Sequence, residues 1–308
     1  MTSRQRGRPV HGWLVLDKPL GMSSSQAVVR VRHLLDAAKA GHGGTLDPLA
    51  TGVLPIALGE ATKTVAWAMA GRKTYRFSLR WGEARDTDDA EGRVTATSPV
   101  RPGRAAIEAA LPRFLGLVRQ RPPAFSALKI GGERAYELAR EGAAVDLAPR
   151  LVAIERLRLI DESEGETAAF EAVVGKGTYI RALARDLGEA LGTCAHIIAL
   201  RRLAVGRFRL ESAISLDKLA ALGHSAAASE HLLPIETALD DIPALALTEA
   251  EALRLRRGQA VTPLRPSDQA RIDQLGDGAT VCATTGGKLV ALAEVAAGGL
   301  RPVRVLNL

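Results

Sequence analysis

Between Lys39 and Glu60 the chain carries one formally charged side chain, Asp47, set in GHGGTLDPLATGVLPIALGEATK (41–63) among five glycines and two prolines. A carboxylate in such small, apolar and hydroxyl surroundings loses hydration, which is unfavourable unless something pairs with it. The stretch therefore asks for a cation supplied from elsewhere in the chain. Other chemistry-bearing patterns are absent from the sequence: it has no GxxxxGK[ST], HExxH or GxSxG, and no HxE followed by PCxxC. Cys194 and Cys282 lie far apart and lack any CxxC or Cys/His ligand spacing, which argues against a zinc site and a disulfide framework, so both read as small packed residues. RDTDDAEG (85–92) offers Asp86, Asp88, Asp89 and Glu91, but Ala90 and Glu91 stand where a calcium loop needs its third ligand and its glycine. It reads as a solvated acidic turn. HGG (42–44) could turn backbone N–H groups toward an anion, a weak signal on two glycines alone.

These residues need elements to hold them. WLVLDKP (13–19) reads as a short strand ended by Pro19, and SSSQAVVRVRHLLDAAKAG (23–41) as a helix with Val28, Val31, Leu35 and Ala38 on one face and Gly41 at its stop. The stretch 41–63 reads as a long loop, because Pro48, Pro55 and its glycines interrupt either regular pattern. RKTYRFSLRWG (72–82) alternates Tyr75, Phe77, Leu79 and Trp81 with Arg76, Ser78 and Arg80, a strand with one apolar and one cationic face. Helices are expected in IEAALPRFLG, AYELAREG and TYIRALARDLGEALG, and strands in LVAIERLRLI and TAAFEAVVG. The mixture implies an α+β protein with a mixed, largely antiparallel sheet rather than a doubly wound one. After the proline-bracketed acidic stretch HLLPIETALDDIPALAL, a capped helix (TEAEALRLRRG) and three strands turned at Gly286-Gly287 mark a small β-rich domain over 245–308, leaving 1–240 as the larger domain.

Length and charge set the class. At 308 residues, 47% hydrophobic and 24% charged, the chain has the composition of a folded protein of about two domains. No membrane-length apolar run is present, and MTSRQRGRPVHG has no apolar segment behind it, so a cytoplasmic location is expected. The net charge is +7, of which residues 241–308 contribute +1, so the field of the larger domain suits a polyanion. Arginines gather in GRPVHG, in LVRQRPPAFSALKIGGERAY and in ALRRLAVGRFRL (Arg201, Arg202, Arg207, Arg209).

Taken together, GHGGTLDPLATGVLPIALGEATK resembles the catalytic motif of the TruB family of bacterial tRNA pseudouridine synthases, which isomerise uridine 55 of the T-loop. GWLVLDKPLGMSSSQAV, KTYRFSLRWGEARDTDDAEG, RPPAFSALKIGGERAYELAREG, KGTYIRALARDLGEALG and AHIIALRRLAVGRF resemble that family's further blocks in its order, over nearly all of 11–240. The tail is similar to the family's small RNA-binding domain of PUA type. Gly43 departs from the pattern, standing where many members have Thr.

The resemblance implies a site. Asp47 would be the catalytic nucleophile, Tyr75 would pack on the target base and Arg181 would pair with the aspartate. The chemistry suits them: moving C1′ from N1 to C5 of uracil needs a carboxylate and no redox partner, so no cofactor and no metal are expected. A carboxylate enclosed around a base stays ionised only with a cation within about 4–6 Å. The base must be turned out of the RNA and held by stacking, for which Tyr75, Tyr179 and His42 are candidates. Lys18 and the arginine clusters would contact phosphates, and Leu200 would line the pocket. The implied partner is the T-loop of tRNA, with no membrane and no guide RNA, because the chain lacks the long basic tail of the guide-dependent relatives. A tRNA-binding or folding protein in which Asp47 is structural is the alternative, and attack at C6, attack at C1′ and a glycal route all need the same carboxylate.

Overall fold

The computed structural model describes residues 7–163, 165–223, 225–262 and 265–308, so the first six residues of the basic N-terminal segment lie outside it. β1 (Gly12–Lys18) alternates between two cores: Leu14 and Leu16 enter one apolar cluster, Trp13 and Val15 another on the opposite face. α1 (Ser24–Leu34) starts on a reciprocal Ser23/Gln26 capping box. It stops short of Gly41. Asp36 takes a left-handed conformation (φ 47°), its N–H and that of Ala37 donating back to His33 and Arg32 carbonyls, a Schellman-type end.

The expected long loop 41–63 is mostly regular structure, two strands and a 3-10 helix over Gly59–Thr64. β2 (Ala40–His42) and β3 (Ala50–Leu58) pair antiparallel, leaving only residues 43–49 as the connection that carries Asp47. Pro55 is tolerated within β3 because its carbonyl, accepting from Gly43 N–H at 2.8 Å, faces the side where β2 has ended, so the N–H it lacks removes no ladder bond with β1. Gly43 is itself packed: a Cβ there would lie 3.2 Å from Trp13 and 3.3 Å from Ala68 and Pro55.

β4 (Lys73–Trp81) buries Phe77, Leu79 and Trp81 and exposes Arg76 and Arg80, as its alternation implies. A hairpin of β5 (Glu83–Arg85) and β6 (Val94–Thr97) follows, with the acidic turn at its tip. β7 (Gly116–Gln120), β8 (Arg150–Ser163) and β9 (Thr167–Val174), then α2 (Ile180–Ala190) and β10 (Ala195–Val205), complete the main sheet. Its path runs from the short strand Ile214–Ser215 through β1, β3, β10, β4, β9 and β8 to β7. Joins β1 to Ile214–Ser215 and β3 to β10 are parallel; the others along this path are antiparallel. The parallel β3–β10 join, Leu200 opposite Ala50, brings β10 beside the Asp47 connection.

The smaller unit has β11 (Ala244–Ala246), α3 (Glu249–Arg256), β12 (Thr280–Thr285), β13 (Lys288–Ala296) and β14 (Gly299–Val305), with strand order β11-β12-β13-β14. Gly286 and Gly287 both take positive φ, which fits the two-residue hairpin between β12 and β13. This sheet has its own core yet also docks on the larger one. Cys282, Leu289, Leu292 and Leu306 join the cluster of Trp13, Val15 and Phe208; Lys63 donates to the Val305 carbonyl at 2.8 Å and Asn307 N–H to Glu60 at 2.7 Å. The architecture is α+β, a large mixed sheet plus a small β-rich C-terminal sheet. Among the described residues no helix is long and apolar enough to cross a membrane.

Candidate active site

Every residue from Gly44 to Pro48 is tied by a hydrogen bond to the surrounding fold. Arg202, 1% exposed on β10, donates to the carbonyls of Gly44 (2.9 Å), Thr45 (3.2 Å) and Val53 (2.7 Å), bracketing the connection from both ends. Ser24, buried at the start of α1, accepts from Leu46 N–H at 2.8 Å, and its hydroxyl lies 2.9 Å from the Leu46 carbonyl. The Pro48 carbonyl accepts from Gly21 N–H at 2.9 Å, with Lys18 Nζ at 3.4 Å. Ala50 N–H closes the turn on the Asp47 carbonyl at 3.0 Å. Gly52 (φ 98°) makes room for β10, since a Cβ there would collide with the Arg202 carbonyl oxygen. Backbone tied at so many points holds the Asp47 side chain in one direction.

That direction is toward Arg181. Its Nε donates to Asp47 Oδ2 at 3.0 Å, Nη1 to the Thr87 carbonyl at 2.8 Å and Nη2 to the Phe125 carbonyl at 2.9 Å, with Asp89 Oδ2 at 3.5 Å from Nη1. The Arg181 side chain is 6% exposed and that of Asp47 36%, so the arginine is the buried member and the carboxylate opens outward. The acidic turn is therefore solvated only at Asp86 and Glu91, correcting the sequence expectation for Asp88 and Asp89. It lies along β10, with Asp88 C=O accepting from Ile197 N–H at 3.1 Å, and both Asp88 and Asp89 are buried. Asp89 Oδ1 accepts from Thr87 Oγ1 (2.6 Å) and Glu91 N–H (3.0 Å), which fixes the Thr87 carbonyl beneath Arg181. One helical turn on, Arg185 pairs with Asp88 at 2.9 Å and Asp186 at 2.8 Å. Burial pushes the Asp88 carboxyl up to about 6, with Arg185 opposing.

Asp47 and Arg181 sit in a cleft of about 640 Å³, within the size range of ligand sites. His42 and Thr45–Pro48 form one side, and Phe125, Arg134, Tyr136 and Arg140 the other. Arg140 lies over the Tyr136 ring at 5.6 Å. No cluster of metal-ligating side chains occurs among the described residues.

Comparison with known proteins decides the family. Residues 32–180 match the TruB family pseudouridylate synthase N-terminal domain, and residues 181–240 the tRNA pseudouridylate synthase B C-terminal domain. The chain is 59% identical over 310 residues to the tRNA pseudouridine synthase B of Bradyrhizobium diazoefficiens, covering 99% of this chain and 88% of that one. It is 56% identical to the protein of that name from Rhodospirillum rubrum, over the full length of both. Among solved structures it is similar to a chain of a Cbf5-Nop10-Gar1 complex, with TM-score 0.71 and 27% identity over 96% of this chain and 84% of that one. The chain belongs to the TruB family of pseudouridylate synthases.

In this TruB chain the residues expected from sequence fall into two groups. Asp47, Arg181 and His42 share the cleft. Burial, then Arg202, lowers the pKa of His42, which favours the neutral ring, and its Nδ1 is buried without a hydrogen-bond partner. Tyr75, Tyr179 and Leu200 are outside that lining. Tyr75 is half-buried on β4 opposite Arg202, packed against the main core, and Leu200 is buried between Ala50 and Phe77 across the sheet. Tyr179 caps α2: its N–H donates to Gln120 Oε1 at 2.8 Å, its carbonyl accepts from Gln120 Nε2 at 3.1 Å, and the Arg150 guanidinium lies 5.2 Å from its ring. That clamp sets the start of α2, and hence Arg181 two residues on.

Two phosphate-contact expectations do not fit. Lys18 is buried, with Nζ donating to the carbonyls of Met22 (2.7 Å), Pro19 (2.9 Å) and Pro48, and burial lowers its pKa to about 8 against the pull of Asp47. Arg202 is equally enclosed. Both anchor the loop from beneath, because cations surrounded by carbonyls are not presented to a phosphate. Sequence reading missed Ser24, Thr87, Asp89, Gln120 and Tyr136 as parts of the site. The DTDD run, distant in sequence from its partner helix, carried one signal, since Arg181 and Arg185 at i, i+4 offer two cations on one helix face.

Proposed function

We propose that the chain converts uridine 55 in the T-loop of tRNA to pseudouridine, with the base turned out of the RNA into the cleft and Asp47 as nucleophile. The observation that carries this reading is the Asp47–Arg181 contact at 3.0 Å, in which a buried arginine fixed by two carbonyls presents a partly open carboxylate to a cleft with ample room for a nucleotide. The names of the curated relatives supply the tRNA.

The reaction breaks C1′–N1 and forms C1′–C5; the proton leaves C5 and N1 ends protonated, so atoms and electrons balance without an outside reagent. Asp47 adds at C6 of the base or C1′ of the ribose, or takes part through a glycal; each route needs the carboxylate where the loop holds it. Turning the base out costs a few kcal/mol, and stacking on rings returns about 1–3 kcal/mol per base. The neutral His42 ring and Tyr136 at the cleft are the rings for this role, joined by Tyr75 only if the bound base reaches past the cleft lining to β4, and Arg134 and Arg140 contact phosphates. Tyr179 and Leu200 act by placing Arg181 and the loop. Residues 245–308 bind RNA as a PUA-type domain beside the catalytic domain of 1–240, and no guide RNA takes part.

The test is incubation with a tRNA transcript followed by position-by-position mapping of pseudouridine. Conversion confined to position 55 supports the reading; a protein that binds the transcript and leaves every uridine unchanged overturns it in favour of a binding or folding role.

A further inference from the structure

The face of the large sheet opposite Phe77 and Leu79, beyond the part that the helix Val65–Ala70 and the small C-terminal sheet cover, carries charge that the site does not use. Arg201 on β10, Arg76 on β4, Glu171 on β9 and Arg158 on β8 stand directly opposite one another in a single cross-strand row. Arg76, Arg156 and Arg158 all converge on Glu171, at 3.8, 3.0 and 3.1 Å. The Glu171 side chain is 8% exposed, while those of the three arginines are 57% or 58% exposed. Three guanidiniums thus share one sunken carboxylate, and two positive charges are left over at the surface. Arg201 is spoken for by Asp17 at 2.7 Å, and Arg72 by Glu155 at 2.8 Å, whereas Arg80 lies exposed further along β4. The next row on the same face has small side chains at Ala199, Ser78 and Ala169 and ends at Asp161 on β8.

Such crowding has a physical consequence. Like charges on neighbouring strands repel, and pairs this exposed contribute little to stability, so the row is better matched to an anion than to the fold. Guanidiniums pair with phosphate in a two-pronged geometry. Strands lie about 4.8 Å apart, which puts the backbones of Arg76 and Arg158 roughly 10 Å apart, with Glu171 between them and the small side chains beside them in the next row. We infer that this open sheet face is a second RNA-contact surface, holding the phosphodiester backbone of an RNA segment other than the one whose base enters the Asp47 cleft. It contacts backbone and does not read sequence.

The probe is a fluorescent RNA hairpin without uridine, bound across a salt series, so that the isomerase reading plays no part in the result. Arg156→Gln/Arg158→Gln in the full chain should reduce the magnitude of the slope of log affinity against log salt by about one to two. Glu171→Gln should act in the opposite sense, tightening binding roughly threefold, the factor for removing one negative charge about 6 Å from a phosphate in water. Single-turnover pseudouridine formation at saturating enzyme should be unchanged in both. An unaltered salt slope in a double variant that melts like the parent overturns the inference, as does equal or weaker RNA binding by Glu171→Gln. Stronger retention of polyglutamate than of the hairpin would overturn it in favour of an acidic protein partner.

Discussion

Replacing Arg202 with Met separates a loop anchor from a phosphate contact. The guanidinium is enclosed and makes three hydrogen bonds, of which those to the Val53 and Gly44 carbonyls are fully buried. Methionine fills much of the volume and satisfies neither acceptor. Two orphaned carbonyls cost about 1–3 kcal/mol each, about 2–6 kcal/mol together, which for a domain of this size lowers the melting temperature by roughly 5–15 °C. The chemical step should suffer more than binding. With Gly44 and Thr45 released, Asp47 keeps only the contacts through Ser24, Arg181, Pro48 and Ala50, and a displacement of about 1 Å at a reacting group costs roughly 100-fold in rate. Thermal melting by circular dichroism, single-turnover pseudouridine formation at saturating enzyme, and tRNA affinity across a salt series give the three readouts. The expected pattern is a lower melting point and a slow chemical step with an unchanged salt slope. A protein that melts and reacts normally once saturated, yet binds tRNA with a shallower salt dependence, would refute the anchoring role and restore Arg202 to the RNA contacts.

Further outcomes follow from the same geometry. Arg181→Met leaves the Thr87 and Phe125 carbonyls without donors and sets Asp47 and Asp89 facing each other without a cation, so conversion should fall by about 100- to 1000-fold, with Arg181→Lys recovering part of it; near-normal turnover by the Met variant would remove Arg181 from the site. Asp89→Asn should slow the same step with little effect on tRNA affinity, because it loosens the turn beneath Arg181; an affinity loss without a rate loss would contradict that placement. For Lys18, whose folded pKa of about 8 lies below its usual 10.5, the unfolded chain binds the more protons between those values, so stability from this group rises with pH across that window. In Lys18→Met the melting temperature should therefore climb less between pH 8 and about pH 10 than in the parent. A parallel climb would show that the lysine does not titrate there. Arg301→Gln/Arg304→Gln, exposed changes on β14, should weaken tRNA binding without slowing saturated single turnover if the tail binds RNA. Deleting the tail is a poorer test, since it uncovers the apolar cluster around Trp13 and Val15.

What the sequence shows and what it hides divide along physical lines. Local periodicity reveals the strand Lys73–Trp81, the capped helices and the glycine hairpin of the tail, because each depends on neighbours within a few residues. β3 was obscured by Pro55 and Gly52, two residues that signal breaks unless the partner strand is known to end or approach there. Asp47 was conspicuous as a lone charge, and its family motif pointed to Arg181 across 134 residues of sequence. The supporting contacts were not legible. Lys18 and Arg202 resemble surface cations in composition, and only the fold shows that backbone carbonyls enclose them. Asp88 and Asp89 look solvated in a DTDD run; laying that turn along β10 buries them.

Asp47→Asn tests the central claim most directly, since it keeps the shape of the side chain and removes its charge and nucleophilicity. The paired measurement is tRNA affinity at fixed salt and pseudouridine formed per mole of tRNA, for parent and variant. Binding should survive, because affinity comes from cationic contacts to phosphates and from stacking, and one fewer negative charge favours a polyanion. Conversion should fall by orders of magnitude, no other carboxylate being held in that loop. Undiminished pseudouridine formation by the Asn variant would contradict the mechanism, and loss of binding together with unfolding would make Asp47 a structural residue.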